Sequence, residues 1–261
     1  MGIAAIFWDR DGTLIKDPGY LRDPKQIELL AGAVPAIRRL TAKGFENIIV
    51  TNQSGVARGL LDEATLTTIH QKLCERFASG NACIDAIYHC PYLEGEQAVI
   101  EAYRRDSDLR KPKPGMLLKA SSERNIDLKA SWSIGDSLRD AQAGKAAGCR
   151  TILLCVDGSD EAAADDSVDF VAKSLAEAVN IVLEHTPHET KEKSVGDKAT
   201  NGDSSALLGE ILSFLKMADR RSRTQDFSLG QLMGAILQIM ALAALVWAIF
   251  GMGEVYHTRP T

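Results

Sequence analysis

Paired cysteines are missing from this 261-residue chain: Cys74, Cys83, Cys90, Cys149 and Cys155 are widely spaced, and no CxxC occurs. That excludes a disulfide framework and suits buried thiols in a reducing compartment. An excess of positive charge is missing as well. With a net charge of -5 and a pI near 5.6, the chain has no broad basic footprint, which argues against a nucleic-acid partner. The opening MGIAAIFWDRDG has no basic region before its first acid, so no signal peptide is expected. Ile6 stands where a myristoylation signal requires Ser or Thr.

What is present changes character along the chain. Residues 1–185 alternate short apolar runs with helical patterns. Strands are expected over 3–8, 46–52, 83–90, 131–136 and 149–156, and helices over 33–44, 62–80, 114–125, 136–148 and 174–185. Gly44 and Gly148 supply helix stops, and Asp62 supplies a start. Strands alternating with helices imply an α/β fold, a three-layer, mostly parallel Rossmann-like sheet with helices on both faces. In such sheets ligands sit beyond the carboxyl ends of the strands.

The remainder reads differently. Residues 186–205 carry only Val195 and Ala199 as aliphatic side chains, the composition of a flexible polar linker. An amphipathic and basic segment is expected over 206–226, and residues 227–253 then hold 27 positions without a charge. A helix needs about 20 residues to cross a bilayer, so a transmembrane helix is expected there, with a short tail over 254–261. A helix buried in a protein core is the alternative. Arg220, Arg221 and Arg223 precede the span and only Arg259 follows it, so the N-terminal domain is expected on the cytoplasmic side of a single-pass protein. A soluble cytoplasmic protein with this stretch packed on the domain is the other location. Gly230 and Gly234 form GxxxG, compatible with a helix-mediated dimer.

Chemistry gathers at the strand ends. FWDRDGTLI, residues 7–15, places Asp9 and Asp11 two positions apart as the first strand ends, and residues so spaced in an extended segment point the same way. Two carboxylates in one cleft repel unless a cation, a shared proton or a reaction engages them. A solvated turn is the alternative reading of DRDG. Thr51 and Asn52 end the second strand, Gly135 and Asp136 end the fourth, and Lys111 precedes the helix leading to the fourth. A hydroxyl, an amide, carboxylates and a cation therefore converge on one crevice.

These phrases resemble the motifs of the haloacid-dehalogenase-like phosphohydrolases: DRDGT ending at Thr13, TNQSG at 51–55, RKP at 110–112 and GDSLRD at 135–140. TNQSGVARG, RKPKPGM and DPGY at 17–20 are more closely similar to the D-glycero-manno-heptose 1,7-bisphosphate 7-phosphatases and the related histidinol-phosphate phosphatases. The resemblance spans about 1–180. It implies a fold with a minimal cap and Mg²⁺-dependent hydrolysis of a small sugar phosphate, the 7-phosphate of the heptose bisphosphate in the first instance. Histidinol phosphate or another small ester is the alternative. A membrane-tethered binding or scaffold protein without activity is the reading from another class, and it predicts damage at the carboxylates, which is not seen.

By the same resemblance Asp9 is the nucleophile and Asp11 the acid/base. Asp9, Asp136 and the Asp11 carbonyl hold Mg²⁺, with Asp140 as support. Thr51, Asn52 and Gln53 contact the phosphoryl group or substrate, Lys111 offsets its charge, and Arg58 and Arg110 reach a sugar hydroxyl or a second phosphate. Lys111, Arg58 and Arg110 as solvated charges, and Asp140 as an ordinary helix residue, are the plain alternatives. Many relatives bind structural Zn²⁺ in the loop before RKP. Here Tyr92, Ser107 and Leu109 stand at three of the ligand positions beside Cys90, so structural Zn²⁺ is not expected and packing by Tyr92 and Leu93 must hold the loop.

Overall fold

The computed structural model describes residues 2–156 and 165–186. Strand β1 (Ala5–Trp8) is followed by α1 (Ala33–Ala42), β2 (Glu46–Asn52), α2 (Glu63–Ser79) and β3 (Ala86–Cys90). The chain continues through α3 (Gly115–Arg124), β4 (Trp132–Gly135), α4 (Leu138–Ala147), β5 (Arg150–Leu154), β6 (Phe170–Ala172) and α5 (Leu175–His185). The six strands run parallel in the order β3-β2-β1-β4-β5-β6. The chain winds outward from β1 to β3 and then returns to the other side of β1, so the order reverses between β1 and β4. A ligand crevice opens at such a reversal, beyond the carboxyl ends of the strands.

Alternation along β1 explains the three layers. Ile6 and Trp8 face one apolar core, which includes Ile37 and Leu40 of α1, Phe77 of α2 and Val182 of α5. Ala5 and Phe7 face the other, with Met116 and Leu117 of α3 and Ala143 of α4. All four β1 side chains are buried, as a central parallel strand covered on both faces requires. The buried Trp8 indole donates to Asn47 Oδ1 at 3.1 Å, so its polar edge is satisfied inside the core.

The expected helices form with ends shifted by a residue or two. Asp62 caps α2 by accepting from the Thr65 amide, and Gly148 closes α4 in the left-handed conformation, φ 90°. β6 was not expected. Three residues are too short to show periodicity, and this strand depends on pairing with β5 from Ile152↔Phe170 to Leu154↔Ala172.

The membrane reading is corrected. Among the described residues no helix is long and apolar enough to cross a membrane. The longest, α2, has 17 residues and is amphipathic: Leu66, Ile69, Leu73 and Phe77 are buried against the domain while its other face carries charge. The span expected over 227–253 lies outside the described residues, as do the basic segment and the Gly230/Gly234 pair. The described residues form the α/β domain, and none of their helices spans a membrane. Nothing among the described residues supports the expected bilayer contact or single-pass location.

Candidate active site

The carboxyl ends of the strands enclose a polar cleft of about 290 Å³, lined by Asp9, Asp11, Thr51, Asn52, Gln53, Lys111, Asp136 and Asp140. Eight of the ten expected site residues thus meet in one volume. Its floor is Lys111, only 3% exposed. The Lys111 ammonium lies 2.6 Å from Asp9 Oδ1 and 2.6 Å from Asp140 Oδ1, and it donates to the Val50 carbonyl at 2.8 Å. Burial alone would lower the Lys111 pKa, but Asp140 and Asp9 outweigh it and hold the cation charged. Asn52 fixes the backbone that carries this lysine: its Oδ1 accepts from the Lys111 amide and its Nδ2 donates to the Lys111 carbonyl, both at 3.0 Å. Both ends of the Asn52 amide are engaged there, which leaves one amide hydrogen and one lone pair in the cleft that Asn52 lines.

Asp9 and Asp11 line one cleft but are held by different partners. β1 ends at Trp8, and the Leu14 amide returns to the Arg10 carbonyl at 3.0 Å, so the period-two alternation stops where the acids begin. Arg10, 1% exposed, holds Asp11 by a fork, Nε to Oδ1 at 3.0 Å and Nη2 to Oδ2 at 2.8 Å. The residue between the two acids was not expected to matter, and nothing in a turn-like DRDG signals that it is buried. Its Nη2 also donates to Gln53 Oε1 at 2.9 Å, while Gln53 Nε2 donates to Asp11 Oδ2 at 2.9 Å and Thr51 Oγ1 at 2.8 Å. Gln53, expected at the substrate, is spent within the protein.

The metal reading has a geometric basis. Asp9, Asp136 and Asp140 offer ligand oxygens within 4.8 Å of one another. Asp11 contributes no side-chain oxygen to this group, and Asp140, expected as support, belongs to it. Asp140 already carries Lys111 on Oδ1 and accepts from the Ser137 amide on Oδ2 at 3.1 Å, the capping box that opens α4. Among the described residues no other side chain pairs with the Asp136 carboxylate, which its own backbone supports. Burial, with Asp140 and Asp11 nearby, pushes Asp9 up to about 7 against the pull of Lys111. Partial enclosure and Asp140 push the more open Asp136 up to about 6. Four carboxylates thus meet two buried cations, Arg10 and Lys111, and a divalent ion would offset the remainder. An all-oxygen donor set suits Mg²⁺. Gly12 leaves room for it: at φ 79° a Cβ there would lie 1.9 Å from Asp136 Oδ2.

Arg58 and Arg110 do not line the cleft. Arg110 Nη1 donates to the Tyr92 carbonyl at 3.2 Å and Arg58 Nη2 donates to Gln97 Oε1. Arg139 and Tyr20, which the sequence reading missed, do line it. Tyr20 follows a turn in which Asp17 Oδ1 accepts from the Gly19 amide at 2.7 Å, the local chemistry of DPGY. The loop before RKP is held by packing: the Arg105 guanidinium lies 3.9 Å from the Tyr92 ring centre, the Tyr92 and Tyr103 rings are 6.0 Å apart, and the Leu93 amide donates to the Tyr103 carbonyl at 3.1 Å.

Comparison with known proteins agrees with this site. A family model described as "HAD-hyrolase-like" matches residues 108–178. The D-glycero-beta-D-manno-heptose-1,7-bisphosphate 7-phosphatase of Salmonella typhi is 40% identical over 176 residues, 67% of this chain and 93% of that protein. The protein of that name from Escherichia coli (strain K12) is likewise 40% identical over 176 residues, 67% of this chain and 91% of its own. The crystal structure of D,D-heptose 1,7-bisphosphate phosphatase from B. bronchiseptica, complexed with magnesium and phosphate, aligns with a TM-score of 0.61 at 33% identity, covering 70% of this chain and 99% of that one. A HAD-like phosphatase from Mesorhizobium loti aligns with a TM-score of 0.63 at 31% identity, covering 72% and 90%. The aspartate cluster and this kinship make the protein a Mg²⁺-dependent hydrolase of phosphomonoesters. With relatives matched over nine-tenths of their length, the chain belongs to the heptose-1,7-bisphosphate phosphatase family of the haloacid-dehalogenase-like phosphohydrolases.

Proposed function

We propose that the protein removes the 7-phosphate of D-glycero-D-manno-heptose 1,7-bisphosphate, with Asp9 as nucleophile. The substrate rests on the relatives that bear this name. The chemistry rests on one observation: Lys111 grips Asp9 Oδ1 at 2.6 Å and thereby fixes the carboxylate at the floor of the cleft. Asp9 attacks phosphorus, the ester P–O bond breaks, and Asp11 gives a proton to the departing alkoxide. Water then attacks the aspartyl phosphate and passes a proton to Asp11. The P–O bond to Asp9 breaks, phosphate leaves and the carboxylate is restored. Because Arg10 holds Asp11 at rest, these transfers require Asp11 to share or leave that contact.

Asp9 and Asp136, with Asp140 beside them and the Asp11 carbonyl by resemblance, are the groups that would hold Mg²⁺. Bound there, the ion supplies Lewis-acid stabilisation of the phosphoryl oxygens. Thr51 donates to the same group, and Lys111 offsets negative charge on it. Asn52 acts by clamping Lys111, and Gln53 through Thr51 and Asp11.

A second reading has its own support. Arg58 and Arg110, the side chains suited to a second phosphate, are engaged by Gln97 and Tyr92 and stand outside the cleft. That favours a smaller monophosphate such as histidinol phosphate. Phosphate release from both esters and a panel of sugar phosphates, with Mg²⁺ and with EDTA, separates the readings. The heptose reading predicts the highest kcat/KM for the bisphosphate, with heptose 1-phosphate as product. Preference for histidinol phosphate supports the second reading, and no release from any ester in Mg²⁺ contradicts both.

A further inference from the structure

We propose that Arg10 and Gln53 are positioning residues that set the direction of the Thr51 hydroxyl, so that its proton is presented to the transferring phosphoryl group. The inference rests on the reading above that Thr51 contacts that group. Its basis is a chain of hydrogen bonds whose sense is dictated by charge. The Arg10 guanidinium can only donate, so the Gln53 atom facing Nη2 at 2.9 Å must be Oε1. The other end is then Nε2, which faces Asp11 Oδ2 at 2.9 Å, the oxygen that already accepts from Arg10 and so accepts from Gln53 as well. Turning the amide over would set N–H against guanidinium and carbonyl against carboxylate, repulsive at both ends.

The same Nε2 donates to Thr51 Oγ1 at 2.8 Å. Thr51 is buried, and Gln53 is the only hydrogen-bond partner of its hydroxyl among the described residues. A hydroxyl has one proton and two lone pairs. With a lone pair committed to Gln53, the proton has no protein acceptor and is directed toward the cleft that Thr51 lines. A donor already aimed at an anionic group needs no reorganisation when charge develops there. A buried Arg10, gripping Asp11 and Gln53 together, makes this orientation rigid.

Gln53→Glu tests the direction. A carboxylate at this position accepts from Arg10 and also from Thr51, so the hydroxyl proton turns away from the cleft. Because the new oxygen also faces Asp11 Oδ2, the double variant with Thr51→Val is what separates loss through Thr51 from loss through Asp11. The expected result is a fall in kcat on the order of 100-fold, the effect of losing one preorganised donor, with KM changed less than threefold. Thr51→Val should cause a similar loss by itself and add little to Gln53→Glu in the double variant. Thr51→Ser, which keeps the hydroxyl, should retain most of the turnover in the native background and none of that advantage when combined with Gln53→Glu. Gln53→Met removes the partner without reversing it and should lose less than Gln53→Glu, opposite to the order expected if only packing mattered. Melting curves establish which variants are folded at the assay temperature, and weakened vanadate binding by Gln53→Glu provides a readout independent of turnover. Native kcat in Gln53→Glu, or a double variant whose losses multiply, overturns the proposal while leaving the role of Thr51 intact. Native kcat in Thr51→Val overturns that role and the proposal with it.

Discussion

Asp9 and Asp11, separated only by Arg10, answer to different cations: Asp9 Oδ1 lies 2.6 Å from the Lys111 ammonium, and Asp11 Oδ2 is held at 2.8 Å by Arg10. The two acids share a cleft without sharing an environment. That difference separates a fixed nucleophile from a carboxylate that exchanges protons, and it follows from the end of β1 at Trp8.

Lys111→Met should abolish turnover and destabilise the fold. It leaves Asp9 and the buried Asp140 without their shared cation, and breaking a buried ion pair from one side costs about 3–5 kcal/mol. Chemical denaturation in EDTA should show that loss. Added Mg²⁺ should recover part of it by binding the native state.

Gly12→Ala should weaken Mg²⁺ rather than substrate. The added methyl meets Asp136 Oδ2, and φ 79° disfavours any side chain there. The Mg²⁺ concentration for half-maximal activity should rise about 10- to 100-fold, the usual effect of disturbing a ligand's surroundings. An unchanged Mg²⁺ titration would contradict the prediction that crowding Asp136 Oδ2 weakens the metal.

Acid should destabilise the domain through His70. Burial, then Arg10 and His89, push its pKa from 6.5 down to about 3. The unfolded chain therefore binds a proton that the folded chain refuses between those values. Stability from this residue is complete above about pH 6.5 and is lost as pH falls toward 3. His70→Gln should flatten the pH dependence of unfolding free energy across that window. An identical slope in the variant contradicts the assignment.

Metal analysis of the purified protein should find no stoichiometric Zn²⁺. Cys90 is buried beside Tyr92, and the ring of Tyr92 packs under Arg105. One thiol cannot form a four-ligand tetrahedral site. About one Zn per chain, as a structural site would hold, contradicts this reading of the loop. Tyr92→Ala should loosen the loop and raise its proteolytic cleavage.

The strands and helices that bury apolar runs were legible in the sequence, because Phe7 and Ile49 sit in short unbroken runs, IAAIFW and IIV, and the briefer strand at Ile134 ends on Gly135 and Asp136. β6 was not, because its three residues gain order from β5 rather than from their own pattern. Strand ends predicted that Asp9, Thr51 and Asp136 would meet, and they do. The partners of their side chains are set by tertiary contacts that no spacing encodes. Arg10 looks like a turn residue in DRDG and is buried, Asn52 clamps Lys111, and Arg58 and Arg110 turn to the loop instead of the cleft. Asp140, read as support for the metal ligands, also starts α4 with one oxygen while the other reaches Lys111.

The nucleophile is tested most directly by catching the phosphoryl group on it. Enzyme mixed with substrate and Mg²⁺, quenched in acid within the first turnover and digested, should yield the peptide containing Asp9 with the mass of one added phosphoryl group. The Asp9→Asn variant and the native enzyme in EDTA should yield none. Phosphate found on another residue, or full turnover by Asp9→Asn, would contradict the account.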